Sequence, residues 1–277
     1  MTMRLLEEMR PGQVLEIVRE SGLVFVPISP RFEWHGVHLP MGTDGIIAEE
    51  AARRLAEAFD GGYFRTLPLA LDEWRPKESK RQWGLDESAD VFGMNFPTLP
   101  LESEYHESTD MERIVGGRLA TIQRNGFRYA FLVNHHGGRG QGATLQRIAE
   151  KACGDGFQAE TLLVPGCNRD ALDDLPPPKN LYLKVGGHAG IGETHQLMAF
   201  RPDLVDLGEL SEGELSVPET GILYREPTIP EEFNPHHASQ EIADRWRESV
   251  LANLAERVRQ VIAPRAQKRG HSTFLKK

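Results

Sequence analysis

Short apolar runs alternate along this chain with stretches of helical spacing. The runs at 23–29 (LVFVPIS), 128–133 (RYAFLV) and 158–164 are typical of strands covered on both faces. A further strand is predicted near 64–71. Helical periodicity and helix-end signals predict helices at about 11–21, 46–59, 109–125, 142–152 and 236–261, with one more ending before Pro202. This alternation predicts an α/β fold, a three-layer α/β/α arrangement around a mostly parallel central sheet.

Three segments lack a regular period. Residues 72–108 are irregular and rich in aromatic side chains, which is typical of a lid or binding loop. Residues 165–185 and 204–235 also show no clear periodicity. The last predicted helix has an apolar stripe of core or subunit contacts at Ile242, Trp246, Val250, Leu254 and Val258. With no convincing linker, we expect one domain over 1–277 with a basic tail from about residue 264.

Polar side chains cluster where two of the predicted strands end. Glu33, His35, His38 and Asp44 follow the first strand within twelve residues, and a histidine pair in NHHGG follows the third at 134–138. Such groups are costly to bury unless they are paired or bind a metal. Because ligands of parallel sheets bind beyond the carboxyl ends of the strands, both segments are predicted to meet at one site.

Composition narrows the class of protein. Of 277 residues, 39% are hydrophobic and 26% are charged, which is an ordinary composition for a globular protein. A net charge of −9 argues against non-specific nucleic-acid binding, which needs clustered Lys and Arg. The N-terminus lacks a signal-peptide core, and no run approaches the roughly 18 apolar residues of a membrane span. Cys153 and Cys167, the two cysteines, indicate a reducing compartment, so we expect a cytoplasmic location.

Three motifs together resemble the creatininase family of metal-dependent amidohydrolases: EWHGVHLPMGTD at 33–44, VNHHGG at 133–138 and GGHAGIGETH at 186–195. The resemblance implies a creatininase-like fold, a small-molecule substrate and a homo-oligomer such as a hexamer. It also implies one or two Zn²⁺ or Mn²⁺ ions per chain. The implied metal ligands are Glu33, His35, Asp44 and His136, with Asp44 bridging two ions, and His188 is the implied acid/base.

The second and third motifs depart from the creatininase pattern. Creatininase has an acidic metal ligand where this chain has Gly138, so Glu193 is assigned as the replacement ligand. The turn has His135 where the family usually has Gly, and Arg139 where it usually has Asn. Lys184 stands where creatinine-hydrolysing members carry an aromatic residue, and we therefore expect a substrate other than creatinine.

The first motif departs as well, because Arg31, Phe32 and Trp34 are predicted to lie beside the metal ions. These side chains favour an oxygen-rich or anionic ring over a flat cyclic urea. The candidate substrate-binding residues are Arg31, Trp34, His135 and Arg139. Two reactions stay open: cleavage of a C–N bond in a cyclic amide or formamide, and C–C ring opening of a cyclic polyol ketone such as a dehydro-inosose.

Each histidine has a plainer interpretation. His38 is expected to orient a ligand rather than to bind metal. Surface or loop positions are the alternative for His135, His195, His236 and His237. A non-catalytic metal-binding protein is the alternative to an enzyme, but His188 favours the enzyme, because a metal store has no use for a proton donor.

Overall fold

The computed structural model describes most of the chain in four segments: residues 4–154, 156–164, 170–185 and 187–269. Side chains are described through residue 263, so the predicted basic tail is described only as helix backbone to Arg269. Cys167 and residues 270–277 lie outside the described residues. A search of the described helices finds none that combines the length and hydropathy needed to span a membrane.

Four parallel strands form the central sheet: β1 (Leu23–Pro27), β2 (Gly62–Tyr63), β3 (Tyr129–Asn134) and β4 (Gln158–Leu163). They lie in the order β2-β1-β3-β4. In the two central strands Phe25 pairs with Phe131 and Pro27 with Val133, so β1 and β3 end side by side. The predicted parallel sheet is confirmed.

The helices of the described residues are α1 (Pro11–Glu20), α2 (Thr43–Ala58), α3 (Lys77–Gln82), α4 (Ser108–Arg124), α5 (Gln141–Ala152), α6 (Ile191–Met198), α7 (Val217–Thr220) and α8 (Gln240–Arg269). The longer ones pack on the two faces of the sheet. Successive residues of a strand point to opposite faces. Accordingly Phe25 and Phe131 stack against each other at 5.2 Å in the core that contains α2, α6 and α8. Val24 and Leu132 face a second core with residues of α1, α4 and α5. This is the three-layer α/β/α fold that the sequence predicts.

The second strand is shorter and earlier than predicted. It covers Gly62–Tyr63, and the predicted strand at 64–71 keeps a single bridge, from Leu67 to Ile28. The next N–H group that would face β1 belongs to Leu69, and it donates to the carbonyl of Leu67 at 2.8 Å instead, which ends the ladder.

The irregular segments contain more structure than the sequence indicates. Helix α3 lies inside the predicted loop at 72–108, and a short antiparallel pair, β5 (Leu215–Ser216) and β6 (Thr228–Ile229), lies inside 204–235. Helix α8 begins at Gln240 rather than His236, because Asn234 caps a separate turn by accepting a hydrogen bond from the His236 N–H at 2.9 Å. The predicted apolar stripe of α8 is buried in the core.

Candidate metal centre

The site forms where β1 and β3 end side by side. The loop after β1 carries Glu33 and His35, and the turn after β3 carries His135 and His136. Asp44 belongs to the first turn of α2, which begins at the end of the same loop. The topology therefore brings the predicted carboxylates and imidazoles of the first two motifs to one edge of the sheet.

Asp44 lies at the centre of this cluster and is buried. Its Oδ1 atom is 2.6 Å from Nδ1 of His135 and 3.6 Å from Nε2 of His35. Its Oδ2 atom is 2.9 Å from Nδ1 of His136. Three imidazoles on two different loops thus converge on one carboxylate.

Glu33 lies beside Asp44 and is also buried. Its Oε1 atom accepts a hydrogen bond from the Tyr105 hydroxyl at 2.6 Å. Its Oε2 atom is 3.3 Å from Nδ1 of His136 and 3.9 Å from Nε2 of His35, and it has no hydrogen-bond partner among the described residues. A buried carboxylate oxygen without a partner is costly, and metal coordination removes that cost.

Backbone carbonyls determine which imidazole nitrogens face the carboxylates. Nδ1 of His35 donates to the carbonyl of Glu33 at 2.9 Å, which leaves Nε2 pointing into the cluster. Nε2 of His136 donates to the carbonyl of Leu71 at 3.1 Å, which leaves Nδ1 pointing inward. This pattern is usual for metal-binding histidines, which donate their second N–H to an oxygen outside the site. In the neutral rings, two nitrogen lone pairs face carboxylate oxygens, an arrangement that a cation between them would stabilise.

Three overlapping groups of side chains place their ligand atoms within 4.8 Å of one another: Glu33 with Asp44 and His136, His35 with Asp44 and Glu193, and Glu33 with His35 and His188. Ligand atoms bound to one zinc ion are about 3.0–3.5 Å apart, given bonds of roughly 2.0–2.2 Å. The separations of 3.3–3.9 Å between facing atoms come close to this spacing. Asp44 is shared by the first two groups, as a bridging carboxylate must be.

In the absence of metal, the carboxylates and imidazoles of the cluster stabilise each other's charged forms. Burial alone raises the pKa of Glu33, but the imidazoles of His136, His188 and His35 lower it to about 2. Burial lowers the pKa of His35, yet Asp44, Glu193 and Glu33 raise it to about 9. Because a metal ion has to displace protons from such imidazoles, metal affinity should rise with pH.

Glu193 reaches the cluster from the first turn of α6. One carboxylate oxygen accepts a hydrogen bond from the Ala189 N–H at 2.5 Å and lies 3.8 Å from Nε2 of His35. His188 lies on the same segment, with its ring centroid 4.1 Å from that of His35. Its Nε2 atom donates to the carbonyl of Trp34, and its Nδ1 atom is 4.0 Å from Glu193. Glu193 and His188 of the third motif therefore lie beside the side chains of the first two motifs.

A cavity of about 360 Å³ opens in front of these groups. The predicted site residues that line it are Glu33, Asp44, His135, His136, Arg139, His188 and Glu193. Aromatic and apolar side chains complete its wall at Trp83, Met94, Leu183 and Leu223. Trp83 is therefore part of the cavity wall. Trp74 lies in the same segment, 72–108, but it is exposed and is not one of the described residues that line the cavity.

Two of the predicted substrate-binding residues do not line this cavity in the described part of the chain. The guanidinium of Arg31 lies 3.7 Å from the carboxylate of Glu49. The indole N–H of Trp34 donates to the carbonyl of Thr220 at 2.7 Å, and its ring packs against Gly221. Both side chains are held on other parts of the fold, so a substrate in the cavity would meet Arg139 instead.

Two histidines assigned to surface or loop positions are buried. Beyond its contact with Asp44, His135 has Nε2 2.6 Å from Oε1 of Gln196. His195 lies within α6, where Nδ1 donates to the carbonyl of Ile191 at 2.7 Å and Nε2 accepts from the Ser239 N–H at 3.1 Å. The interpretation was wrong for His195, which lies inside α6. His135 does lie in a loop, the turn after β3, but it is buried there, because the packing of α6 against this turn cannot be inferred from either segment alone.

His38 supports the site without belonging to the candidate ligand groups. Its Nε2 atom donates to the hydroxyl of Thr194 at 2.8 Å, and Thr194 is the neighbour of Glu193 in α6. Burial, with the nearby His35, lowers the pKa of His38 to about 3, so this ring is neutral. It therefore holds the helix that carries Glu193.

The sequence did not reveal two residues that contact the cluster, Tyr105 and Gln196. Gln196 follows Glu193 by three residues, and helical spacing could have placed both on one face. Tyr105 lies in the segment 72–108, which has no periodicity, and only the many aromatic residues of that segment indicated a binding loop.

Comparisons with known proteins bear on the family and the fold. The family model for creatininase, described as creatinine amidohydrolase, matches residues 105–258, which is more than half of the chain. The chain belongs to the creatininase family. The matched region contains the second and third motifs, and the first motif precedes it. No curated protein matches the sequence.

Solved creatininase structures share the fold of this chain. "Creatininase Mn" has a TM-score of 0.67 at 18% sequence identity, and "creatinine amidohydrolase (creatininase)" has 0.67 at 19%. A single-residue mutant of creatininase, Zn-Zn type, has 0.66 at 19%. In each case 94% of this chain and 98% of the other chain are covered. The chain therefore has the creatininase hydrolase fold, together with side chains that can hold metal.

The structure explains why this creatininase-family chain has no acid at position 138. A Cβ atom on Gly138 would lie 2.1 Å from Nε2 of His136 and 2.2 Å from the carbonyl oxygen of Leu71. These two atoms make the hydrogen bond that orients His136. A side chain at position 138 would therefore disturb this hydrogen bond. Among the described residues, Glu193 is an acid outside the first motif that lies close to His35, with a carboxylate oxygen 3.8 Å from Nε2.

Proposed function

We propose that this chain is a hydrolase that depends on divalent metal and cleaves a C–N bond in a small cyclic amide or formamide other than creatinine. The observation that carries the proposal is the position of Asp44, which belongs to two candidate ligand groups at once. Imidazole and carboxylate ligands suit Zn²⁺ or Mn²⁺ better than Ca²⁺ or Mg²⁺, so one or two such ions per chain are expected.

The donor set determines how the ions would be held. Glu33, Asp44 and His136 would hold one ion, and His35, Asp44 and Glu193 would hold the other. Bound divalent ions in such sites acidify water and polarise a carbonyl group. The remaining work of the reaction falls to residues of the chain around the cavity.

His188 is proposed to move the proton. Its Nε2 atom is engaged by the carbonyl of Trp34, so Nδ1 is the nitrogen free to exchange a proton at the leaving atom. The apolar wall at Trp83, Leu183 and Leu223 would limit the access of water to the reacting bond. Arg139 would hold an oxygen-rich or anionic part of the substrate at the rim.

C–C ring opening of a cyclic polyol ketone, such as a dehydro-inosose, is the second candidate. Arg75, Ser79, Arg139 and Gln196 add polar groups to the cavity, which suits a substrate with many hydroxyl groups. Lys184, at the position where creatinine-hydrolysing members carry an aromatic residue, is not one of the described residues that line the cavity, and its ammonium group pairs with Asp173. It therefore offers no ring surface to creatinine. A single domain, a homo-oligomer such as a hexamer, a cytoplasmic location and the absence of nucleic-acid and membrane partners stay predictions.

Turnover by the metal-loaded protein tests this proposal. The protein is stripped with a chelator, reloaded with Zn²⁺ or Mn²⁺, and assayed on cyclic amides, formamides and inososes. We expect metal-dependent hydrolysis of one class, and the product identifies the bond that is cleaved. Metal binding without turnover on any class would favour the non-catalytic metal-binding alternative.

Substitution of His188 tests the assignment of the acid/base. His188→Gln should keep its metal and lose about 10²- to 10⁴-fold in kcat, the usual contribution of a general acid/base. The fall should be equal in kcat and kcat/KM, because the proton is shared only in the transition state. His237→Gln, at an exposed histidine, is the matched control. Loss of metal from His188→Gln would instead make His188 a ligand, as its group with Glu33 and His35 allows.

A further inference from the structure

The hydroxyl of Tyr105 lies between a candidate metal ligand and the wall of the cavity. It donates a hydrogen bond to Oε1 of Glu33 at 2.6 Å and accepts one from the Met94 N–H at 2.8 Å. Met94 is part of the cavity wall. One oxygen atom therefore contacts both the carboxylate of the proposed metal centre and the backbone of the proposed substrate pocket.

The ring of Tyr105 is closely packed in this position. Gly93 has a φ of +56°, and a Cβ atom there would come within 2.3–2.5 Å of the Tyr105 ring. The ring of Phe92 packs on it at 5.5 Å with an interplanar angle of 67°. Glycine at 93 supplies both the left-handed backbone and the space that the phenol needs.

The segment that carries Tyr105 is also tied to the loop after β1. The Ser103 N–H donates to Oδ1 of Asn95 at 2.6 Å, and the Ser103 hydroxyl accepts from the Trp34 N–H at 2.9 Å. The Glu104 N–H donates to the carbonyl of Phe32 at 2.8 Å. The cavity wall and the loop bearing Glu33 and His35 are thus joined by several hydrogen bonds.

The contact with Tyr105 assigns separate tasks to the two oxygens of Glu33. Oε1 is occupied by the phenol, while Oε2 faces His136 and His35 and has no partner among the described residues. We propose that Tyr105 is a positioning residue that couples metal binding to the ordering of the cavity wall at Met94. It presents Oε2 of Glu33 to the metal and holds Met94 against the site with the same hydroxyl. This inference rests on the metal centre of the proposed function.

A purely structural tyrosine would stabilise the loop equally with and without metal. A coupling residue makes a different prediction, because thermodynamic linkage is reciprocal. If metal fixes Glu33, the phenol and the Met94 amide should become more ordered when metal binds. Hydrogen exchange at the Met94 amide reports this change directly and does not depend on catalytic activity.

The test compares Tyr105→Phe with Tyr224→Phe. The hydroxyl of Tyr224 is buried and has no hydrogen-bond partner among the described residues, so its removal is a matched control. Zn²⁺ affinity is measured by competition with a chromophoric chelator, and exchange at Met94 is measured with and without Zn²⁺. We expect Tyr105→Phe to weaken Zn²⁺ binding by about 10- to 100-fold, as is usual for residues that orient a ligand.

In the wild type and in Tyr224→Phe, Zn²⁺ should slow exchange at Met94, and in Tyr105→Phe it should not. Gly93→Ala, which pushes the phenol away while keeping it in the chain, should weaken Zn²⁺ binding in the same direction. Unchanged affinity in Tyr105→Phe, or equal protection of Met94 by Zn²⁺ in that variant, would overturn the coupling. A wild type that binds Zn²⁺ but turns over no substrate defeats only the proposed hydrolase, whereas a wild type that binds no Zn²⁺ removes both.

Discussion

Substitution of His135 should destabilise the metal-free protein in a graded way. Its side chain is fully buried and makes two hydrogen bonds of 2.6 Å, one with Oδ1 of Asp44 and one with Oε1 of Gln196. His135→Phe fills a similar volume but removes both bonds. His135→Asn places an amide near the position of Nδ1, so it should keep the bond to Asp44 and lose the one to Gln196.

The size of each effect follows from these contacts. A hydrogen bond to a charged group contributes about 1.5–3 kcal/mol, and a buried polar group left without a partner costs about 1–3 kcal/mol. His135→Phe loses the first and leaves Gln196 unpaired, so the free energy of unfolding should fall by about 2.5–6 kcal/mol. His135→Asn should cost about 1–3 kcal/mol. Both are large fractions of the roughly 5–15 kcal/mol that stabilises a typical protein.

Urea unfolding with a chelator present measures these differences without a contribution from metal. His237→Asn, at an exposed position, is the control and should change stability by less than about 0.5 kcal/mol. The reasoning fails if His135→Phe is as stable as the wild type, since the two short hydrogen bonds would then contribute nothing. Equal losses in the Phe and Asn variants would mean that Asp44 does not depend on His135.

Two further predictions concern stability. Burial lowers the pKa of His38 to about 3 and that of His195 to about 4, whereas the pKa of histidine in the unfolded chain is about 6.5. Between pH 4 and about pH 6.5 these two side chains therefore bind more protons in the unfolded state than in the native state. The free energy of unfolding of the chelated protein should therefore rise from pH 5 to pH 6 by up to about 1.4 kcal/mol per histidine, and His195→Asn should reduce the slope measured in urea. Gly138→Ala should destabilise by about 1–3 kcal/mol in the same assay because its Cβ has no room, while Gly117→Ala, with open space in α4, should be neutral or slightly stabilising. A free energy of unfolding that does not change between pH 5 and pH 6 would contradict the first prediction, and a Gly138→Ala protein as stable as the wild type would contradict the second.

Local patterns predicted the sheet and the edge at which the site forms. The apolar runs around Phe25 and Phe131 determine two adjacent parallel strands, and parallel strands must end at the same edge. The meeting of Glu33 and Asp44 with His136 follows from that rule. The roles of these residues as metal ligands stay predictions until metal content is measured.

Contacts between segments distant in sequence could not be predicted. His135 is buried because α6 places Gln196 against it, 61 residues along the chain. Tyr105 is 72 residues away from Glu33 in the sequence, and it lies in a segment that shows no helical or strand periodicity. Arg31, predicted to face the metals, pairs instead with Glu49 of α2, since the loop after β1 turns its side chain away.

Metal content of the wild type and of Asp44→Asn tests the central claim most directly. The change removes one negative charge with almost no change in shape, at the carboxylate that belongs to two ligand groups. Elemental analysis after dialysis should find up to two Zn²⁺ or Mn²⁺ per wild-type chain and little or no metal in Asp44→Asn. Asp203→Asn, at an exposed carboxylate paired with Arg201, should keep the wild-type content. Equal metal content in the wild type and in Asp44→Asn would contradict a metal centre built around Asp44.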